Sequence, residues 1–286
     1  MKQWISPIPQ TIHFIWLGSD PPDYFKKYFL KSFIQNMETF DIRLWSDKDI
    51  NKKKFPKTYS YIMKSKKMHG KNMFDDKGHQ MFNKNKEPLK YSKWAQITDL
   101  MRLEIIYNYG GFYFDVNFEI LKPLYNLLNN KYTFVGCNEI PRFKNIDFLS
   151  NSFFGATKNN IILRRLLSKN NLNQINFHSF DVADETGPGY LRSGIYLSDN
   201  YKIFPTLFFY PFIEPFYKSL DPPYRKSSKN KCHRSKKTKK TKKFKRLNNK
   251  KGYLLTPCSK YPKSYAIKHW NLGGSWTHHF NYIILD

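Results

Sequence analysis

Asp115 and Asn117 sit two positions apart where a short aromatic run, "GFYFDVN", gives out after paired glycines. Oxygen ligands at that spacing, astride a strand end, suit a hard divalent ion such as Mn²⁺ or Mg²⁺ that shares its other positions with phosphate and water. A diphosphate leaving group calls for such an ion, because charge builds on its oxygen as the bond breaks. The alternative is an Asp and an Asn that only open a turn.

Asp99 and Arg102 are three apart, hence on one helix face, in an otherwise apolar segment where unpaired charge is costly. Either they pair with each other, or they face a ligand, Asp99 accepting hydroxyls and Arg102 holding an anionic or sugar group through its forked donors. In "DETGPGYL", Asp184 and Glu185 precede a helix start at Pro188, where an acidic first turn explains them as well as a ligand role does. His269 lies beside Trp270, a setting that fits a packed histidine.

The elements that must carry these side chains alternate. "TIHFIWLG", 11–18, is a continuous apolar run ending in Gly18 and reads as a buried parallel strand. A helical period follows at Phe25, Tyr28, Phe29, Phe33 and Met37, and "DIRLW", 41–45, returns to strand. This β-α-β opening implies a right-handed crossover and helices on the faces of the sheet. "SKWAQITDLMRLEIIYNYGG" reads as a buried helix with Ser92 as N-cap and Gly110 as stop, and "GFYFD" as the next strand. "YTFVG" and "NSFFGA" predict further strands, and "NNIILRRLL" a helix. Asp115 and Asn117 thus fall at a carboxyl end of the sheet, where ligands of open α/β folds bind.

Composition bounds the rest. The 286 residues are 40 % hydrophobic and 18 % aromatic, enough for a sizeable core and too much for a disordered chain. No run approaches the roughly 20 apolar residues of a membrane helix, and "MKQWISPIPQ" lacks a signal-peptide core, so a cytosolic protein is expected. Cys137, Cys232 and Cys258 form no CxxC pair and point to reduced thiols, without structural zinc. Residues 225–251 hold 15 of the 49 Lys and Arg and no acid, more than half of the net +27. With Phe244 as their single aromatic they lack stacking partners for bases, which argues against specific nucleic acid. They read as a flexible insertion, or as a segment that meets polyanions or an anionic membrane surface.

Five blocks, "IPQTIHFIWLG", "TDLMRLEIIYNYGGFYFDVNFEILKPL", "NSFFGA", "ETGPGYL" and "YAIKHWNLGGSW", together resemble the DXD-containing glycosyltransferases of the GT-A fold. These include the capsular and mannosyl-transferring enzymes of family 32 and, more distantly, the glucosylating clostridial toxins. The resemblance implies that Trp16 stacks on the nucleotide base, and that Asp99 and Arg102 hold the ribose or donor sugar and steady the diphosphate. It implies that Tyr113 and Asp115 contact the donor and its metal, with Asn117 where the second aspartate belongs. His269 falls where related enzymes bring a late metal ligand. Asp184 and Glu185 border the acceptor side, and Ser275 and Trp276 match a closing loop.

The expectation is therefore an α/β fold with a Rossmann-like mixed sheet flanked by helices: a core over 1–224, the basic insertion 225–251, and a segment 252–286 completing the site. The expected activity is Mn²⁺-dependent (or Mg²⁺-dependent) transfer of a sugar, with retention, from a UDP- or GDP-sugar to a hydroxyl of a glycan, lipid or protein. Asn117 lowers the charge of the metal cage and motivates a rival, a degenerate homologue that binds nucleotide or glycan without turnover. A second rival is a polyanion-binding protein acting through 225–251.

Overall fold

The computed structural model describes residues 6–69, 93–128, 131–143, 146–175, 182–196, 199–213, 261–269 and 283–284. The basic stretch 225–251, with Cys232 and Cys258, lies outside them, as does Ser92.

A six-stranded sheet runs in the order β2-β1-β3-β6-β5-β7, with β1 Thr11–Ile15, β2 Asp41–Trp45, β3 Gly111–Phe114, β5 Phe134–Phe143, β6 Ile146–Ala156 and β7 Tyr201–Phe204. Strand β1 pairs parallel with β2 and β3, and β7 parallel with β5. Strand β6 alone opposes both neighbours. Only residues 144 and 145 separate β5 from β6, a connection too short for anything but an antiparallel pair. The mixed α/β sheet expected from the sequence is present, with its one reversed strand at a place the parallel opening did not announce.

Both faces of the sheet are apolar, which is why its strands read as continuous hydrophobic runs. Side chains alternate along a strand, so Phe112 and Phe114 enter one core with Phe14, Phe33 and Phe153, while Tyr113 enters the other with Met101, Ile105 and Phe154. The first core is closed by a π-helical turn, Phe25–Phe29, that runs into α1, Leu30–Asn36. The sequence predicts one helix there, and Phe25, Phe29 and Phe33, four residues apart, are buried together along it.

Helix α3, Lys93–Tyr109, covers the second core and is buried along most of its length. It packs on α2, Pro56–His69, through a polar contact: the Glu104 carboxylate accepts from the backbone N–H of Lys57 and Thr58, each at 2.8 Å. These are donors that the first turn of α2 leaves without a partner in the helix. Gly110 stops α3 as the sequence predicts, at φ +69°, and Gly111 follows at φ +97°.

On the other face, β4 Phe118–Ile120 pairs antiparallel with β9 Ala266–Lys268 in the register Phe118↔Lys268. A second two-stranded pair joins β8, Phe212–Ile213, to β10, Ile283–Ile284. Short helices α4 Ile161–Leu166, α5 Lys169–Gln174, α6 Val182–Glu185 and α7 Pro188–Ser193 fill the chain between β6 and β7. Cys137 is a buried free thiol, and burial pushes it well above the ordinary cysteine range. Among the described residues no helix is long and apolar enough to cross a membrane.

Candidate active site

Because β1 and β3 are parallel, their carboxyl ends share one rim of the sheet. There the period of two puts Asp115 on the same face as Tyr113, and the Tyr113 hydroxyl donates to Asp115 Oδ1 at 2.8 Å. The Asp115 backbone N–H donates to Ser152 O at 2.9 Å, which registers the strand end against β6.

Helix α3 brings Asp99 and Arg102 down onto this corner. Arg102 Nη1 donates to Asn151 O at 2.7 Å and lies 3.5 Å from Asp115 Oδ1, while Nη2 pairs with Asp99 Oδ1 at 3.1 Å. The guanidinium also covers the Tyr113 ring, 4.5 Å from its centroid. Of the two alternatives read from the sequence, the pairing of Asp99 with Arg102 is present, and Arg102 also reaches the strand-end carboxylate. Asp99 takes two further bonds, from Asn151 Nδ2 at 2.8 Å and from Thr186 Oγ1 at 3.0 Å.

The titration follows from these contacts. Burial pushes the Asp99 carboxyl up to about 6, against the pull of Arg102 and its hydrogen bonds. Burial also acts on Asp115, but Lys268, Arg102 and the Tyr113 hydroxyl outweigh it and hold that carboxyl below its ordinary value. Burial drives the Tyr113 phenol well above its own, so it remains a donor.

Lys268 is the residue that sequence reasoning missed. Its Nζ lies 3.2 Å from Asp115 Oδ2, and only the register of β9 on β4 brings it there, 153 positions along the chain. Nothing in a chain with 49 Lys and Arg marks this one out. Asn151 and Thr186 belong to blocks singled out from the sequence, but their own contacts, both to Asp99, could not be read there.

The remaining expected residues distribute unevenly. Trp16 stands just past β1, half-buried, its indole N–H donating to Ser19 Oγ at 3.0 Å, and it packs with the core of Phe25 and Phe29. Asp184 is exposed and Glu185 half-buried in α6, and the bond from this block to Asp99 comes from their neighbour Thr186. Ser275 and Trp276 lie outside the described residues.

Asn117 is buried and joined to His269 twice: its Nδ2 donates to His269 O at 3.2 Å, and the His269 N–H donates to Asn117 O at 2.9 Å. Its side-chain oxygen is buried with no hydrogen-bond partner. The His269 ring stacks on Phe29 at 4.7 Å, with Nε2 2.9 Å from Glu119 Oε2.

A divalent ion needs several oxygen or nitrogen ligands and uncompensated negative charge. The described residues do not by themselves fit one. The single carboxylate of the Asp115–Asn117 pair is already flanked by an ammonium and a guanidinium, and the charges of Asp99, Arg102, Asp115 and Lys268 sum to zero. His269 Nε2 is directed at Glu119, and among the described residues no three His, Cys, Asp or Glu side chains gather as a metal site. The orphaned Asn117 oxygen is the one donor that matches.

Residues 22–135, which include Asp99, Arg102, Tyr113, Asp115 and Asn117, match a family model described as a glycosyltransferase sugar-binding region containing a DXD motif. The chain thus resembles the DXD glycosyltransferases. That match supports glycosyl transfer as the class of function, and a DXD region ordinarily goes with a divalent metal. In this DXD region the third position is Asn117, and Trp16, Thr186, Lys268 and His269 fall outside the matched span.

Solved structures similar to the chain include the PaToxG glycosyltransferase, at 18 % identity and a TM-score of 0.42, covering 67 % of this chain and 70 % of that one. The catalytic domain of alpha-toxin from Clostridium novyi aligns at 11 % identity and TM-score 0.38, over 65 % and 72 %. Galactosyltransferase LgtC, in complex with donor and acceptor sugar analogs, aligns at 12 % and 0.34, over 75 % and 81 %. No curated protein matches the chain.

Proposed function

We propose that the chain transfers a sugar from a nucleoside diphosphate to a hydroxyl acceptor, with retained anomeric configuration. The observation that carries this reading is the cluster of Asp99, Arg102, Tyr113 and Asp115 at the sheet rim, inside the span that matches a sugar-binding region. A guanidinium held on three sides costs little reorganisation when a diphosphate arrives, and preorganised positive charge is what stabilises such a leaving group.

In the step proposed, the bond from the anomeric carbon to the β-phosphate oxygen breaks and its electron pair leaves with the nucleoside diphosphate. The acceptor oxygen bonds the same carbon on the face just vacated, and its proton passes to the departing phosphate oxygen. Asp99, held by Asn151 and Thr186, is suited to accept hydroxyls of the ribose or sugar. Trp16, at the same end of the sheet, offers an indole for the base. The acceptor's identity as glycan, lipid or protein stays part of the proposal, as does contact of 225–251 with an anionic surface.

The test is hydrolysis and transfer from a panel of UDP- and GDP-sugars by the purified protein, with the anomer of the product read by NMR. Activity that Asp115→Ala lowers by about 100-fold or more, with the fold intact, supports the reading. Asn117 favours one rival, a homologue that binds without turnover: saturable nucleotide binding with no release of sugar from any donor would establish it instead.

A further inference from the structure

We infer that Lys268 takes the place of the divalent cation, so that the donor diphosphate is held by the Lys268 ammonium and the Arg102 guanidinium without metal. This rests on the transferase reading and deepens it at one point, the chemistry that neutralises the leaving group.

Three observations converge. Asn117 removes one of the two carboxylates that a metal cage of this kind relies on, and its nitrogen is spent on the His269 carbonyl. At the remaining carboxylate, Lys268 Nζ sits 3.2 Å from Oδ2 while Arg102 approaches Oδ1, so a cation already stands against each oxygen. Third, the Lys268 side chain is only 10 % exposed and reaches the rim from β9, pinned by the ladder to β4 and by the backbone bond from His269 N–H to Asn117 O. An ammonium brought this deep beside a partly open carboxylate, 26 % exposed, is placed as a fixed charge and not as a surface lysine.

The exchange is also consistent in charge. Lys268 balances the carboxylate that Asn117 leaves behind, and an entering diphosphate meets two groups of positive sign with no ion to be recruited. As the bond to the sugar breaks, the charge that gathers on the β-phosphate oxygen falls to Lys268 and Arg102. Asp115 then acts as a positioning residue, aiming both cations.

The experiment measures calorimetric binding of UDP and of GDP to the full chain, in EDTA and in Mn²⁺, alongside donor hydrolysis in the same buffers. The expected result is binding in EDTA within about twofold of that in Mn²⁺. Lys268→Met should weaken binding in EDTA by about tenfold or more, the order of a lost charge-assisted hydrogen bond, and Lys268→Arg by less. The double variant Asn117→Asp/Lys268→Met should recover binding only when Mn²⁺ is added. Wild-type binding that requires Mn²⁺, or a Lys268→Met protein that binds as wild type, overturns the inference while leaving the transferase reading standing. A Lys268→Met loss matched by a lower Tm and equally large in Lys268→Arg would mark Lys268 as structural only, which also overturns it. Metal-free binding without hydrolysis of any donor would instead refute the transferase and keep Lys268 as an anion-holding group.

Discussion

Thr186 donates its hydroxyl to Asp99 Oδ2 across 3.0 Å, and through that bond the turn between α6 and α7 is fastened to α3 at the corner of the site. Thr186 is buried, and its Oγ1 also approaches Val182 O at 3.4 Å. Replacing it by Val keeps the shape and leaves one Asp99 oxygen without this donor. Thr186→Val should destabilise the chain by about 1–3 kcal/mol in urea denaturation, the range for a buried acceptor stripped of a partner. Donor turnover should fall by about tenfold, because Asp99 no longer holds Arg102 at one fixed angle. Unchanged turnover in a destabilised variant would separate the fastening from the chemistry.

Asp99 also sets a pH dependence. Its carboxyl is raised from 3.8 to about 6 in the folded chain, chiefly by burial, so the folded state binds this proton more tightly than the unfolded one. That contribution to stability is full below 3.8 and is lost as pH rises through about 6. Asp115 is shifted the other way, and its contribution is lost as pH falls below the ordinary carboxylate range. Asp99→Asn isolates the first effect: between pH 4 and 7, wild type should lose stability relative to the variant. Parallel pH profiles for the two proteins would show that the Asp99 proton is not taken up on folding.

Glu104 gives a prediction remote from the site. Its two oxygens take Lys57 N–H, Thr58 N–H and the Thr58 hydroxyl, each at 2.8 Å, so a carboxylate of α3 caps the start of α2. A negative charge at a helix N-terminus adds to the hydrogen bonds. Glu104→Gln retains one acceptor oxygen and loses the charge, for an expected cost of about 1–2 kcal/mol, and Glu104→Ala costs more because the buried Thr58 N–H and the part-buried Lys57 N–H lose their acceptors. Thermal unfolding of the two variants should show that order, and its inversion would put the stability in charge repulsion relieved instead of in the cap.

This cap also shows where the sequence stops being readable. Local features were legible: "DIRLW" became β2 with the same bounds, Gly110 ended α3, and the Tyr113 and Asp115 pair follows from the two-residue period of a strand. Asp99 and Arg102 could be put on one helix face for the same kind of reason. What could not be read is what depends on long-range register. The partners of Glu104 lie 46 and 47 positions away, and no local pattern announces them. Lys268 needed the pairing of β9 with β4, and a three-residue strand carries almost no signal of its partner. The resemblance implied a late metal ligand at His269, but its ring is directed at Glu119, and that depends on side-chain packing that spacing does not encode.

The paired glycines that introduce the site strand give the last prediction. Gly111 has φ +97°, a region that residues with a Cβ rarely enter, and a Cβ there would sit 2.5 Å from the Thr11 carbonyl oxygen of β1. Thr11 adjoins Ile12, which pairs with Phe112, so the clash cannot be relieved without pulling β3 off β1. His13 reinforces the constraint: its Nε2 lies 2.9 Å from Gly110 O while Nδ1 accepts from the Trp45 indole at 3.0 Å, which leaves Nε2 as the donor to that carbonyl. Burial lowers the His13 pKa to about 4, so the ring stays neutral and keeps this arrangement through the physiological range. Gly111→Ala should therefore cost about 3 kcal/mol or more, from strain and from loss of the strand pair together. Gly110→Ala meets Pro9 at 2.7 Å and the Lys158 backbone N at 2.8 Å, and should be of similar severity. Because the shift at Gly111 moves Tyr113 and Asp115 bodily, nucleotide affinity should fall even in the fraction that remains folded. A Gly111→Ala protein with wild-type affinity and Tm would mean that β3 does not set the position of Asp115.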